Sequence, residues 1–284
     1  NIKNNKRVML ALGRLKKIIR RLFVINRVTA KEIPVYSGRL LENKTALIIG
    51  GSGGIGSDIA KAYVKNGCSV VIVGTNEEKM ANICKEIGED KAKYFVGDIR
   101  NIADIKKSIA AADSFLNKID ILVHCAGVHC RDKFGSVSEN MWDSVMDINL
   151  KSMYFACQYV AEYMIKNGIK GHILNIGSAS AAKPGWTPYE ISKNGVKALT
   201  LGFADKLIKH GIVVNSIAPG PVSTPMLGKS DSSDISWPGN PAGRMCTPSE
   251  ISNWAVFMVS DIGNMVVGDT FFVSGGSGTV CLNK

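Results

Sequence analysis

The sequence predicts an α/β fold, a doubly wound seven-stranded parallel sheet with an N-terminal amphipathic helical extension. From residue 44 onward, short apolar runs rich in β-branched residues alternate with helix-length stretches. Six of the seven runs precede a segment long enough for the crossover helix that parallel pairing requires. The first run ends in a glycine cluster just before a helix, the pattern of a phosphate-cradling turn.

The elements follow in order. In the extension, residues 1–40, Val8, Leu12, Leu15, Ile19 and Leu22 recur at helical spacing. They line one face, which Ile18 and Phe23 widen, while Lys6, Arg14, Lys17, Arg20 and Arg21 fall on the other. Such a helix suits packing on the enzyme domain or a second subunit, and it also suits an anionic membrane surface. Charges interrupt its apolar stretch and no small-residue cleavage site follows, so a secretory signal is not expected. Residues 29–44, with Pro34 and Gly38, read as a connector.

A single α/β domain is expected over residues 41–284. Its strands are predicted at Thr45–Ile49, Ser69–Val73, Lys93–Val96, Ile119–Val123, His172–Ile176, Ile212–Ile217 and Phe271–Val273. The stretch from Gly228 to Pro248 breaks the alternation. It is rich in Ser, Asp, Gly and Pro and reads as a lid or binding loop.

Composition narrows the function classes. The 284 residues are 45% hydrophobic and 21% charged, ordinary for a globular enzyme. No apolar run reaches the roughly 18 residues of a membrane-spanning helix. Of the net charge of +11, residues 1–44 hold twelve Lys and Arg against Glu32 and Glu42, so the remainder is nearly neutral. That division argues against a nucleic-acid-binding body. The seven cysteines are odd in number and lie in apolar segments, which suits reduced thiols and a cytoplasmic location, peripheral at the membrane if the arm binds one.

The glycine cluster Gly50-Gly51-Ser52-Gly53-Gly54-Ile55-Gly56 has the spacing G-x-x-x-G-x-G, not G-x-G-x-x-G. This spacing resembles that of the short-chain dehydrogenase/reductase family. The resemblance runs from residue 44 to about residue 276 and extends to the compact Rossmann-type branch that contains 3-oxoacyl-acyl-carrier-protein reductases. Asp98 lies in Val96-Gly97-Asp98-Ile99, and Cys125-Ala126-Gly127 stands where the family has Asn-Asn-Ala-Gly, with His124 and Cys125 replacing both asparagines. Asn149, Ser178 and Tyr189-x-x-x-Lys193 match the catalytic set. Pro219-Gly220-Pro221-Val222-Ser223-Thr224 matches the stretch that closes over the nicotinamide, and Pro248-Ser249-Glu250 to Gly276 matches the C-terminal helix and strand.

The resemblance implies an NAD(P)-dependent oxidoreductase acting on a carbonyl or the matching secondary alcohol. Cofactor contacts are expected from Gly50, Ser52, Gly53, Gly54, Ile55, Gly56, Thr75, Asn76, Asp98 and Ile99. Further contacts are expected from Cys125, Ala126, Gly127, Tyr189, Lys193, Pro219, Gly220, Val222 and Thr224. Catalysis is expected from Asn149, Ser178, Tyr189 and Lys193. Tyr189 and Lys193 lie four apart on one helix and so share a face. A nearby ammonium favours the phenolate and brings a tyrosine toward neutral pH. Ser178 is expected to hydrogen-bond the same carbonyl oxygen, and Asn149 to support a water relay.

Position 49 lacks the threonine with which the family opens its glycine motif, which removes a hydrogen bond from the turn. The second strand ends in Gly74-Thr75-Asn76, with neither an acid for a ribose 2′-hydroxyl nor an arginine for a 2′-phosphate. With no carboxylate to repel a phosphate, NADP is favoured over NAD. The substrate pocket is expected from the loop after Ala126, residues 179–188 and residues 225–247, with Trp186, Met226, Trp237 and Met245 making it apolar. A 3-oxoacyl thioester suits it, and the basic residues 1–28 suit an acidic carrier protein. Homo-oligomerisation, as a dimer or tetramer, is expected through the helices after Ser138 and Pro188. His124, Cys125, His129 and Cys130 have no zinc-ligand spacing, and no metal site is expected. The competing readings are an inactive nucleotide-binding scaffold and a membrane-recruited protein.

Overall fold

A computed structural model describes residues 38–130, 133–227 and 234–280. The amphipathic stripe at Val8–Leu22 and residues 228–233 of the lid segment lie outside the described residues.

Seven parallel strands form one sheet in the order β3-β2-β1-β4-β5-β6-β7. They are β1 (Thr45–Ile49), β2 (Ser69–Gly74), β3 (Ala92–Val96), β4 (Ile121–His124), β5 (His172–Ile176), β6 (Val213–Pro219) and β7 (Thr270–Val273). The helices are α1 (Gly54–Lys65), α2 (Glu77–Ile87), α3 (Ile102–Leu116), α4 (Glu139–Met146), α5 (Ser152–Lys166), α6 (Pro188–Leu207) and α7 (Pro248–Val259).

β1 shows why the sheet is doubly covered. All five of its residues are buried. Ala46 and Ile48 join the cluster formed with Ile59 and Tyr63 of α1, Met80 of α2 and Ile251 and Val259 of α7. Leu47 and Ile49 join the opposite cluster with Ile105 of α3, Met153 and Val160 of α5 and Val196 of α6. Parallel strands buried on both faces read as near-continuous apolar runs, as Ala46–Ile49 does here. Leu41 is fully buried in the first cluster, and its N–H donates to the Asn66 carbonyl at 3.0 Å.

β1 and β5 have the predicted bounds, while β4 and β6 are shifted toward their C-terminal ends. Asp120 is diverted to the start of β1, where its carboxylate accepts from the Thr45 N–H at 3.0 Å. At the other end of β4, His124 pairs in register with Ile49 and Asn175. The strand order reverses direction between β1 and β4, and in open α/β sheets ligands bind outside the carboxyl ends at that point.

Two features aim the segments that carry Asn149, Tyr189 and Lys193. α6 starts on a capping box in which Thr187 accepts from the Glu190 N–H while the Glu190 carboxylate accepts from the Thr187 N–H, with Pro188 in the first turn. This fixes the entry of the helix that carries Tyr189 and Lys193. Between α4 and α5, residues Asp147–Lys151 form a π-helical turn. Such turns occur within helices and often at functional positions. Asn149 sits in this turn and is fully buried.

The described part of the lid segment is tied down. Val222 and Cys246 make a parallel bridge, and Ser236 and Arg244 an antiparallel one. Arg244 forms a bidentate pair with Glu250 in the first turn of α7.

Candidate active site

The turn leaving β1 is held by backbone. Gly50 and Gly51 N–H groups both donate to the Val73 carbonyl, at 2.8 and 3.1 Å, and Gly53 N–H donates to the Gly50 carbonyl at 3.1 Å. Cys125 N–H donates to the Ile49 carbonyl at 2.9 Å. These bonds steady the turn where the family's threonine is replaced by Ile49. Gly50 has φ +84, and a Cβ there would stand 2.4 Å from Ala126 N, so only glycine fits. A Cβ on Gly56 would stand 2.3 Å from the Gly50 carbonyl oxygen.

The cradle fits a dinucleotide. α1 begins at Gly53 with no side-chain cap and no acid in its first turn. The first-turn N–H groups of a helix have no intrahelical partner, which makes an uncapped, acid-free start a site for a pyrophosphate. Thr224 packs over this start, its methyl 2.8 Å from where a Gly54 Cβ would lie. Gly220 is pressed against the Ser274 backbone, so the stretch after β6 lies close to the last strand. When bound, a nicotinamide dinucleotide supplies or accepts a hydride.

Other expected contacts sort by environment. Thr75 and Asn76 are exposed at the end of β2, and the Asn76 side chain caps α2 by accepting from the Lys79 N–H at 2.9 Å. The Asp98 carboxylate is paired with Arg100 and held below its usual range by that hydrogen bonding. The Ile99 side chain is packed in the core, so a contact with cofactor from this residue runs through its backbone. His124 and Cys125 diverge: the His124 ring contacts Ser152, while the Cys125 thiol points to the Gly50 carbonyl. Burial pushes that thiol up to about 12.

Ser178, Tyr189 and Lys193 converge on one cavity of about 270 Å³, with Gly127, His129, Lys183, Met226 and Trp237 also in its wall. Ser178 follows β5 and accepts from the Ser180 N–H at 3.1 Å. Lys193 is 5% exposed and donates from Nζ to the Ile176 carbonyl at 3.0 Å. Burial pushes its ammonium down to about 8. Its Nζ lies 5.9 Å from the Tyr189 ring centroid.

The Tyr189 phenol is shifted opposite to expectation. Desolvation raises it, and the neighbouring Ser178 hydroxyl only partly opposes that. Tyr189 is therefore protonated at neutral pH, as a proton donor must be.

Asn149 ties the loop after β4 to its own turn and to α6. Its Oδ1 accepts from the Val128 N–H at 2.8 Å, while Nδ2 donates to the Val128 carbonyl at 3.0 Å and to Ser192 Oγ at 3.2 Å. Ser192 in turn donates to the Tyr189 carbonyl at 2.7 Å. The amide holds the loop after β4 against α6.

Sequence reasoning missed His129. Its ring lies 4.5 Å from that of Tyr189, centroid to centroid. The only available signal was its place two residues beyond Gly127. Met245, expected in the pocket, is fully buried outside this cavity wall. Trp186 is exposed and packs edge-on against Phe134 at 5.5 Å, also outside the wall.

The comparisons with known proteins agree with this geometry. A family model described as short chain dehydrogenase matches residues 44–234. This chain belongs to the short-chain dehydrogenase/reductase family. It is 34% identical over 244 residues to the gluconate 5-dehydrogenase of Gluconobacter oxydans, covering 83% of this chain and 95% of that protein. It is also 34% identical over 244 residues to the 3-oxoacyl-[acyl-carrier-protein] reductase of Chlamydia muridarum, covering 84% and 98%. Among solved structures, the 3-ketoacyl-(acyl-carrier-protein) reductase from Brucella melitensis complexed with NADH superposes with a TM-score of 0.78 at 29% identity, covering 84% of this chain and all of that one. The chain is thus a short-chain dehydrogenase/reductase enzyme with a Rossmann-type fold.

The Lys193 shift predicts a pH profile. For a reduction that uses the Lys193 cation beside a Tyr189 phenolate, kcat/KM should hold near neutrality and fall above about pH 8, where that proton leaves. Stability moves the other way. The unfolded lysine keeps its proton up to its ordinary 10.5, so between about 8 and 10.5 this group makes stability rise with pH. Initial rates across pH 6–10 check the first statement, and an activity plateau extending to pH 10 would contradict it.

Proposed function

We propose that this enzyme interconverts a carbonyl compound and its secondary alcohol with NADP(H), with Tyr189 as acid/base. The observation that carries this reading is the convergence of Ser178, Tyr189 and Lys193 on one cavity that continues to Ile55, Pro219 and Thr224 of the dinucleotide cradle. In reduction, the Tyr189 O–H gives its proton to the substrate oxygen. The Ser178 hydroxyl donates a hydrogen bond to that oxygen and stabilises the charge developing on it. The Lys193 ammonium stabilises the phenolate left behind. The same groups run the reverse reaction, in which the phenolate takes the alcohol proton. An intact set of these three groups speaks against an inactive scaffold.

NADP is the proposed partner because the end of β2, at the exposed Thr75 and Asn76, presents no carboxylate to a 2′-phosphate. A 3-oxoacyl thioester is the proposed substrate, supported by the apolar Met226 and Trp237 in the cavity wall and by the carrier-protein reductases among the relatives. The basic arm at residues 1–28 is proposed to meet the acidic carrier. Assembly as a homo-oligomer is proposed through α5 and α6, where Tyr154, Ile165 and Leu201 are exposed.

Two outcomes are expected. NADPH should give a higher kcat/KM than NADH, and Thr75→Asp should invert the order by about tenfold or more through repulsion of the 2′-phosphate; equal use of both cofactors by the wild type would contradict the assignment. Deleting residues 1–37, which stops short of the buried Leu41, should raise KM for a carrier-linked 3-oxoacyl substrate and leave that for the free thioester unchanged. Equal KM values for the carrier-linked substrate before and after deletion would remove the arm from recognition.

A further inference from the structure

The residue that replaces the first asparagine of the Asn-Asn-Ala-Gly pattern makes a contact that no catalytic role uses. His124 is fully buried at the end of β4, and its Nε2 lies 3.0 Å from Ser152 Oγ. Ser152, also fully buried, opens α5 immediately after the π turn. Its hydroxyl donates to the Ile148 carbonyl within that turn at 2.6 Å.

Donor counting fixes the direction. A serine hydroxyl has one proton, and here it is committed to Ile148. His124 Nε2 must therefore carry the ring proton and donate to Ser152, which leaves Nδ1 as an acceptor. Burial and the Lys193 charge push the imidazole down to about 3, so the ring is neutral across the working range. Among the described residues Nδ1 has no hydrogen-bond partner. The directional contact with Ser152 leads into the π turn.

From there the connection reaches the active site in two steps. Asn149, next to Ile148, grips both backbone groups of Val128 in the cavity wall. It also donates to Ser192, which donates to the carbonyl of Tyr189. We propose that His124 is a positioning residue: through Ser152 it clamps the π turn to the sheet and so sets Asn149, the Val128 loop and the first turn of α6 relative to one another. This rests on the proposed reading for its kinetic consequence, but its structural consequence is independent of turnover.

The test uses the full chain with His124→Leu, His124→Gln and Ser152→Ala. Leucine fills the space without a donor, whereas glutamine can return an amide N–H to the same hydroxyl. In His124→Leu, kcat should fall about tenfold while the NADPH dissociation constant stays within about twofold. His124→Gln should recover most of that loss. The double variant His124→Leu with Ser152→Ala should be no slower than the worse single variant, because both remove one interaction. Hydrogen exchange of the Val128 amide supplies a readout without substrate. It should quicken in His124→Leu and return toward wild type in His124→Gln.

Unchanged Val128 exchange in His124→Leu would overturn the clamp. So would a loss of kcat that glutamine fails to recover while leucine and glutamine unfold at the same temperature as wild type. If the wild type itself turns over no carbonyl, the proposed reaction fails, and the exchange measurement still decides the clamp.

Discussion

A buried ammonium sets the terms of this site. Lys193 is almost wholly removed from water and is met by the Ile176 carbonyl. A buried charge is costly unless hydrogen-bonded, and the protein meets that cost partly by letting the proton leave near pH 8. The position of the ammonium binds several elements together. It joins the end of β5 to the second turn of α6, and a Cβ on Gly127 would lie 3.6 Å from it and 3.4 Å from Asn149 Oδ1. The loop after β4, the π turn and the tyrosine helix are therefore packed around one cation.

Behind that cation runs a layer of buried polar contacts between the carboxyl end of the sheet and the helices α5 and α6. His124 meets Ser152, Asn149 meets Ser192, and Asn175 donates to Thr200 at 3.1 Å. The Cys157 thiol donates to Asn175 at 3.4 Å. Apolar packing alone holds the helices on the sheet but leaves their axial position soft, because it is non-directional. Directional bonds at the catalytic end remove that freedom, and partly satisfied buried groups are costly enough to enforce the geometry. This is how Tyr189 and Ser178, from different elements, come to share one cavity wall.

Much of this was legible from residue order, and the reasons are physical. A strand buried on both faces carries a continuous apolar run, and β1 was read to the residue from Ala46–Ile49. The glycine turn was legible because steric exclusion at Gly50 and Gly56 leaves no other residue type. The shared cavity wall of Tyr189 and Lys193 was legible because the two keep helical spacing. His124 hid the end of β4, since its partner Ser152 lies 28 positions away and no local pattern announces it. The π turn at Asn149 was invisible for the same reason, being held by Val128 and Ser192. Met245 was misplaced because an irregular segment has no period from which to read which side faces the cavity. The direction of the Tyr189 shift required knowing how deeply the folded chain buries the phenol.

The central claim is that the Tyr189 hydroxyl is the proton donor in a carbonyl reduction. Tyr189→Phe removes that hydroxyl and keeps the ring against His129. It should lower kcat by about 100-fold or more, the scale of a lost general acid, while leaving NADPH affinity and thermal stability close to wild type. A Tyr189→Phe enzyme that keeps kcat within a fewfold of wild type would contradict the account.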